Sequence, residues 1–438
     1  MGASSGEVGS LLLALALVVV VARVGGSLAR AVGQPPVIGE MAAGIALGPS
    51  LLGAVAPGAF AWLFPATVHD DLRVAANLGV VLFVFMIGAE LDGEILRSRS
   101  RSVLTVTAAS MAAPFALGAA AALALRPELA ADGAAATPFV LFVGVALSVT
   151  AFPVLARIVE GLAPHARRLG TTALTCAALT DGLAWCLLVV VAAQARASGA
   201  RSSAERLALV VLFVAAALLV AAPLLRRLGQ RARRVRGAEA ALAIAVALLF
   251  AQTSDSLGVH VVVGAFVAGL AVRGFARTRD RTLVRVDRLN RSLLLPAFFA
   301  SVGLTTNVRA VASPALLAAG ALVLLLAVAG KFGVTTVVAR ATGLDWRDSV
   351  GLGALLNTKG LTELVVLKTG LELGLLSSGG FTALVLVTLV TTASAGPVLR
   401  RLGLASSWHA PLALPELRAL RAHSKLAGDL LVTPKERL

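Results

Sequence analysis

Charge is what this 438-residue sequence has least of: Asp, Glu, Lys and Arg together supply 14% of it, while 58% is hydrophobic and the mean hydropathy is +0.90. A soluble domain is about one quarter charged. Water-soluble cores stop growing at about 250–300 residues, so the apolar excess has no single soluble core to enter. That excludes a soluble enzyme and a disordered chain, and leaves an integral membrane protein. Cysteine is scarce as well. Cys176 and Cys186 are ten residues apart in one apolar segment, about 15 Å along a helix, and a disulfide needs Cα atoms within about 7 Å. The first apolar run, Leu11 to Ala22, follows Glu7 with no basic residue before it, so it lacks the positive n-region of a signal peptide and reads as a first transmembrane helix. His69, His165 and His260 show no metal spacing, and there is no phosphate loop or nucleophile motif. These absences argue against an enzyme and against a resident cofactor or metal.

What is present is a succession of apolar windows of about 20 residues. Broken at Arg, Pro or Gly clusters, they give about thirteen transmembrane helices, at 8–31, 36–54, 70–92, 101–126, 137–161, 167–195, 205–228, 237–255, 259–275, 285–307, 313–341, 347–371 and 378–401. The expected architecture is an all-α polytopic membrane protein, with a transmembrane domain over residues 1–401 and a short cytoplasmic tail over 402–438. The second and ninth segments are short, and the tenth carries Pro296; each is a candidate for a broken or tilted element.

The formal charge of +16 would suggest a nucleic-acid partner in a soluble protein. Here the loops account for it. With the N-terminus outside, 29 Lys or Arg fall in the odd-numbered loops and the tail, 6 fall on the other side, and Arg23, Lys331, Lys359 and Lys368 lie within spans. The positive-inside rule then places the chain in the cell membrane with its N-terminus outside and its C-terminus cytoplasmic. The densest cluster, Arg273 to Arg291, reads as an amphipathic cytoplasmic connector near anionic lipid.

Two stretches echo each other. Gly39-Glu-Met-Ala-Ala-Gly44 in the second span matches Gly264-Ala-Phe-Val-Ala-Gly269 in the ninth, and Phe83 to Gly88 in the third matches Phe298 to Gly303 in the tenth. Each pair is seven spans apart, an odd number, so the copies face opposite ways across the membrane. Two inverted repeats of about six spans are the architecture of secondary transporters, whose sites lie at the midplane on discontinuous helices. By the same register, Ser148-Val-Thr150-Ala-Phe-Pro153 in span five pairs with Asn357-Thr-Lys359-Gly360 in span twelve. Both place helix breakers and polar groups near mid-span, as two crossing broken helices require, although Pro153 alone is equally well read as a simple kink.

Ionisable groups at bilayer depth cost about 2.5–3.5 kcal/mol each on insertion scales and are functional candidates by default. Asp181 in span six is the sharpest, with no basic neighbour on its own helix close enough to neutralise it. Lys331 is similarly deep in span eleven. Only five of the 39 basic residues are Lys, and three of those five lie inside spans eleven and twelve. Lys331 is read either as a titrating amine or as a counter-charge that holds the core together. Lys359 and Glu363 read as an i,i+4 pair stabilising span twelve. Lys368 and Glu372 look solvated near the external end, and Glu40 is read as interfacial or as lining a funnel.

Taken in order, Gln34-Pro-Pro-Val-Ile-Gly-Glu40 to Ser50, Leu82 to Asp92, Ser148 to Leu155, Thr180-Asp181, Gly264 to Gly269, Pro296 to Leu304, and Gly351 to Glu363 with Asn357-Thr-Lys-Gly360 carry a resemblance. Over about residues 8–401 the chain resembles the second monovalent cation:proton antiporter family of the sodium/proton exchanger fold, and among these the potassium-handling exchangers. The resemblance implies exchange of K+ or Na+ for H+, a homodimer, a rigid dimerisation domain and a mobile core. It implies an ion-binding carboxylate at Asp181, beside which Thr150, Thr180 and unwound backbone around residues 150–153 are read as neutral oxygen donors. The position before that carboxylate is acidic in many electrogenic members and is Thr180 here, which implies one proton per cation. Lys331 corresponds to a lysine that, in two-acid members, pairs with the acid absent here. Residues 402–438 look too short for the nucleotide-binding domain of many potassium-efflux relatives. A cation channel or an ion-coupled symporter on the same scaffold is the alternative.

Overall fold

The structure, a computed structural model, describes residues 5–90, 101–195, 203–232, 238–257, 260–272 and 281–405. Eleven of its helices are long and apolar enough to cross a membrane, and the protein is a multi-pass membrane protein. These helices coincide with segments one to eight and eleven to thirteen of the sequence reading. The ninth segment is the shorter helix Val261–Val272, and the tenth is Leu295–Thr305, entered through the π-helical stretch Asn290–Leu294. Asp92, residues 273–280 of the arginine cluster and the tail beyond residue 405 lie outside the described residues.

In chain order the helices used below are α1 Ser5–Ala31, α2 Pro36–Leu47, α3 Ala66–Glu90, α4 Arg101–Leu129, α5 Ala136–Ser148, α6 Phe152–Glu160, α7 Arg167–Ala195, α8 Ser203–Ala216, α9 Ala238–Ser256, α10 Val261–Val272, α11 Leu295–Thr305, α12 Pro314–Ala327, α13 Trp346–Leu356, α14 Leu361–Glu372 and α15 Ser378–Arg401. Their starts follow local chemistry. Pro36 opens α2 and Pro314 opens α12 at first-turn positions, where the missing N–H costs nothing. Asp345, Ser313 and Ser377 each accept a backbone N–H at the start of α13, α12 and α15.

The helices sort into two bundles by what they pack against. In the first, α1 packs on α2, α2 on α11, α3 on α10 and α11, and α9 on α10. In the second, α4 packs on α5, α7 lies against α4, α5, α6 and α13, and α15 against α12 and α14. The first bundle is built on a close approach of backbones. A Cβ on Gly44 would run into the Phe299 carbonyl and one on Gly303 into the Gly44 carbonyl, so α2 crosses α11 glycine to glycine. A Cβ on Gly269 would run into the Phe85 carbonyl, and one on Gly88 into the Phe266 carbonyl, so α10 crosses α3 in the same way. The sequence echo equates Gly44 with Gly269 and Gly88 with Gly303. The two crossings are therefore one contact made twice, as a pseudo-two-fold relation between the repeats demands. Small residues at such crossings allow the van der Waals contact that holds helices together in lipid.

Both mid-span breaks expected from the sequence are present in the second bundle. Helix α5 ends at Ser148 and α6 begins at Phe152; α13 ends at Leu356 and α14 begins at Leu361. The extended links cross: the Ala151 N–H donates to the Thr358 carbonyl at 3.1 Å, and the Thr150 hydroxyl to the Leu356 carbonyl at 3.0 Å. Pro153 opens α6 rather than kinking a continuous helix, which removes the kink reading. Gly360 precedes α14 with φ of 147°, a conformation side chains rarely adopt, and a Cβ there would lie 2.7 Å from Val154 of the other broken helix.

Candidate ion-binding site

A broken helix leaves unpaired carbonyls at the end of one half and unpaired N–H groups at the start of the other, with a partial charge at each. Away from water these need partners, and the intramembrane charges of this chain provide them. The last carbonyls of α5 receive both deep lysines. Lys359 Nζ donates to the Ala146 carbonyl at 3.0 Å and to Leu147 at 3.4 Å, and Lys331 Nζ donates to the Ser148 carbonyl. Both ammonium groups thus sit at the negative end of a half-helix. Lys331 reaches it from a π-helical turn, Val328–Gly333, that follows α12.

At the positive end the partner is Asp181. The Phe152 N–H, first in α6, donates to Asp181 Oδ2 at 3.3 Å. Asp181 is 1% exposed, and its Oδ1 has no hydrogen-bond partner among the described residues. Lys331 is the charged side chain that acts on it electrostatically. The Thr150 hydroxyl is engaged with Leu356, and that of Thr180 with the Ala177 carbonyl of its own helix at 3.0 Å. Both threonines are fully buried. Their donated hydrogens leave oxygen lone pairs for a further ligand.

The expected pair Lys359–Glu363 is formed at 2.8 Å with both side chains buried. Glu363 lies in the first turn of α14, so a carboxylate also faces the positive end of the second broken helix. Its Oε2, Thr362 Oγ1 and Asn357 Oδ1 are unpartnered among the described residues. Asn357 closes α13 at its C-terminal end.

A cavity of about 590 Å³ runs between the bundles as far as Phe152 of α6 and Leu361 of α14. Phe152, Pro153 and Arg157 of α6 line one wall; Glu40, Ile87 and Phe299 of the first bundle line the other. Arg23, Arg30, Arg288 and Arg291 stand around it. Glu40 therefore lines the funnel, the second of its two sequence readings. The cavity reaches Phe152, whose amide holds Asp181. On the same face of α7, Trp185 stacks on Phe266 of α10 at 6.1 Å between ring centroids, so α7 presents the carboxylate where the two bundles meet.

One expectation is corrected. Lys368 is 9% exposed rather than solvated, and Glu372 is bonded to His260 Nε2 at 2.8 Å. These partners are 112 residues apart, and no local pattern announces them. The capping of α5 by two lysines was likewise invisible in spacing, though the placement of three of the five lysines in spans eleven and twelve was its trace.

Inverted repeats, two crossing broken helices and a buried carboxylate bonded to Phe152 of the cavity wall define an inverted-repeat secondary transporter. More narrowly, the chain belongs to the sodium/hydrogen exchanger family, whose transmembrane model matches residues 15–404. It is 34% identical over 401 residues to the Na(+)/H(+) antiporter NhaS4 of Synechocystis, covering 90% of this chain and 98% of that one. It is 36% identical to Cation/H(+) antiporter 18 of Arabidopsis thaliana over 89% of its length, and 30% identical to K(+)/H(+) antiporter 1 of Saccharomyces cerevisiae over 82%. The chain spans about half of these two relatives, 48% and 42%. The sodium proton antiporter MjNhaP1 of Methanocaldococcus jannaschii has the same fold, with a TM-score of 0.62 at 12% identity over 91% of this chain and 97% of that one.

Proposed function

We propose that this protein is a secondary active antiporter that exchanges a monovalent cation, K+ or Na+, for H+ at Asp181. The observation that carries the reading is the unpartnered Oδ1 of a buried carboxylate held by the N–H of Phe152, a residue that lines the cavity. A carboxylate out of water does not stay bare: it takes a proton or an opposite charge. A proton and a dehydrated cation then compete for one oxygen, and that competition is itself the coupling. Thr150, Thr180 and the extended backbone around residues 150–153 supply neutral oxygens to the cation. Lys331, Lys359 and Glu363 hold the crossing together as counter-charges. The names of the relatives, Na(+)/H(+) antiporter, K(+)/H(+) antiporter and Na(+)/H(+)-K(+) antiporter GerN of Bacillus cereus, support the reaction and include both ions.

The finer features belong to the same proposal. With Thr180 beside Asp181 in place of a second acid, one proton crosses per cation and exchange is electroneutral. The protein works as a homodimer without a cofactor. The arginine-rich loops face the cytoplasm, so the cavity opens inward. Transport proceeds as the second bundle moves against the first and carries Asp181 to the other face.

The test is reconstitution into vesicles with a pH dye inside. Addition of K+ or Na+ should move protons in the parent protein, and Asp181→Asn should abolish that movement. Cation-dependent proton flux at the parent rate in Asp181→Asn would overturn the reading. Flux with each ion across a pH series separates K+ from Na+.

A further inference from the structure

The cavity opens on one face of the membrane domain, and the opposite face is joined across the bundle boundary by a specific contact. The two faces are distinguished by where the chain returns. Helix α6 runs from the crossing along the cavity to Glu160, towards the face where Leu162 bridges Ala405. Helix α14 runs from the crossing to Glu372, towards the face where Ala130 bridges Leu376. At that second face Glu372, the last residue of α14 in the second bundle, meets His260, which immediately precedes α10 in the first. His260 Nε2 and Glu372 Oε2 are 2.8 Å apart, with the side chains 7% and 26% exposed.

The histidine is held for this role. Its carbonyl accepts from the Ser254 hydroxyl at 3.0 Å, and its Nδ1 faces the Val262 N–H at 3.4 Å, which leaves Nε2 to donate to the carboxylate. Lys368 on α14 and Arg73 on α3 are the other charged groups that act on Glu372. Further in, the Trp185–Phe266 stack fills the same boundary between α7 and α10. A second cavity on this face, of about 630 Å³, is lined by Asp132, Gln194, Leu373 and their neighbours, all from the second bundle, so it does not part the two.

We propose that His260 and Glu372 form the latch that closes the face opposite the cavity, and that each transport cycle breaks and remakes it. The pair positions the bundles and touches neither ion. A hydrogen bond to a carboxylate is stronger than one between neutral groups, and this one is partly buried. It exists only while the bundles stand as they do here. Losing it shifts the balance away from the state with the cavity open. On the cavity face the boundary is also bridged, by Arg400 to the Gly33 carbonyl at 2.6 Å and Gln34 to the Ala393 carbonyl at 3.2 Å. Those acceptors are main-chain carbonyls, whereas the latch joins two side chains and can be removed without disturbing either backbone.

The proposal rests on the exchange reading for its purpose but is tested without it. In a background lacking Cys176 and Cys186, Ala156→Cys places a thiol on the cavity wall, and its reaction with a membrane-impermeant maleimide reports how often the cavity is open. His260→Ala and Glu372→Gln should each shift the open-to-closed ratio about tenfold towards closed, equivalent to about 1.4 kcal/mol. His260→Arg, which keeps a donor towards the carboxylate, should restore it. As a second measurement, His260→Cys with Glu372→Cys, joined by a short bifunctional thiosulfonate, should stop exchange and release it on reduction. Labelling at the parent level in both single variants, or exchange at the parent rate while the cross-link is intact, overturns the latch. If the parent protein shows no exchange at all, the functional reading fails, and the labelling shift still decides the latch.

Discussion

The Thr150 hydroxyl donates to the Leu356 carbonyl at 3.0 Å, so the link of one broken helix satisfies the open end of the other. The two breaks are consequently one structure, and neither would be stable without the other in a medium that offers no water to unpaired backbone.

That bond makes unequal demands on two threonines with the same proposed part in cation binding. Thr150→Val strips a buried carbonyl of its donor and should cost about 1–3 kcal/mol. Thr180→Val removes a bond to Ala177 within one helix and should cost less. Thermal unfolding in detergent ranks the two; equal losses would mean the crossing is not held by Thr150.

Lys359 and Glu363 should behave as a unit. Removing either alone leaves a buried charge unpaired, at about 3–5 kcal/mol. Replacing both, as Lys359→Met with Glu363→Gln, should cost clearly less than the sum. A double-mutant cycle measures the coupling. The remaining deficit reports the Ala146 and Leu147 carbonyls that Lys359 also serves.

The glycine crossings predict paired sensitivities. Gly303→Ala and Gly269→Ala each push a methyl into backbone of the opposing helix, at no less than about 1–3 kcal/mol. Both should lower the yield of folded protein. Gly58→Ala, where a Cβ would have open space within 4 Å, should be neutral or slightly stabilising. Size-exclusion recovery after mild heating compares the three.

Charge stoichiometry is open to direct manipulation. With a single acid at the site, exchange in vesicles should not respond to a membrane potential imposed by a gradient of a lipid-permeant anion such as thiocyanate. Thr180→Asp adds a second titratable oxygen beside Asp181 and should make the flux voltage-sensitive. A voltage response in the parent protein would contradict the one-for-one proposal.

Much of this was written in the order of residues. Membrane insertion follows from apolar runs too long for any soluble core, and helix breaks follow from proline, glycine and polar groups at mid-span. The inversion of the two halves follows from an odd spacing of echoed glycines. Asp181 stood out because a charge with no local partner is costly at that depth. All of these are local, periodic or repeated properties, legible without knowing which helices touch.

Only tertiary structure decided what those residues meet. No spacing relates Lys331 and Lys359 to the open end of α5, Phe152 to Asp181, or His260 to Glu372. Each pair is joined by the packing of helices distant in sequence, and its energy depends on the water that packing excludes. The sequence by itself determined which groups the membrane would have to accommodate. The fold decided their partners, because in lipid an unpaired charge or carbonyl is satisfied only by another part of the same protein.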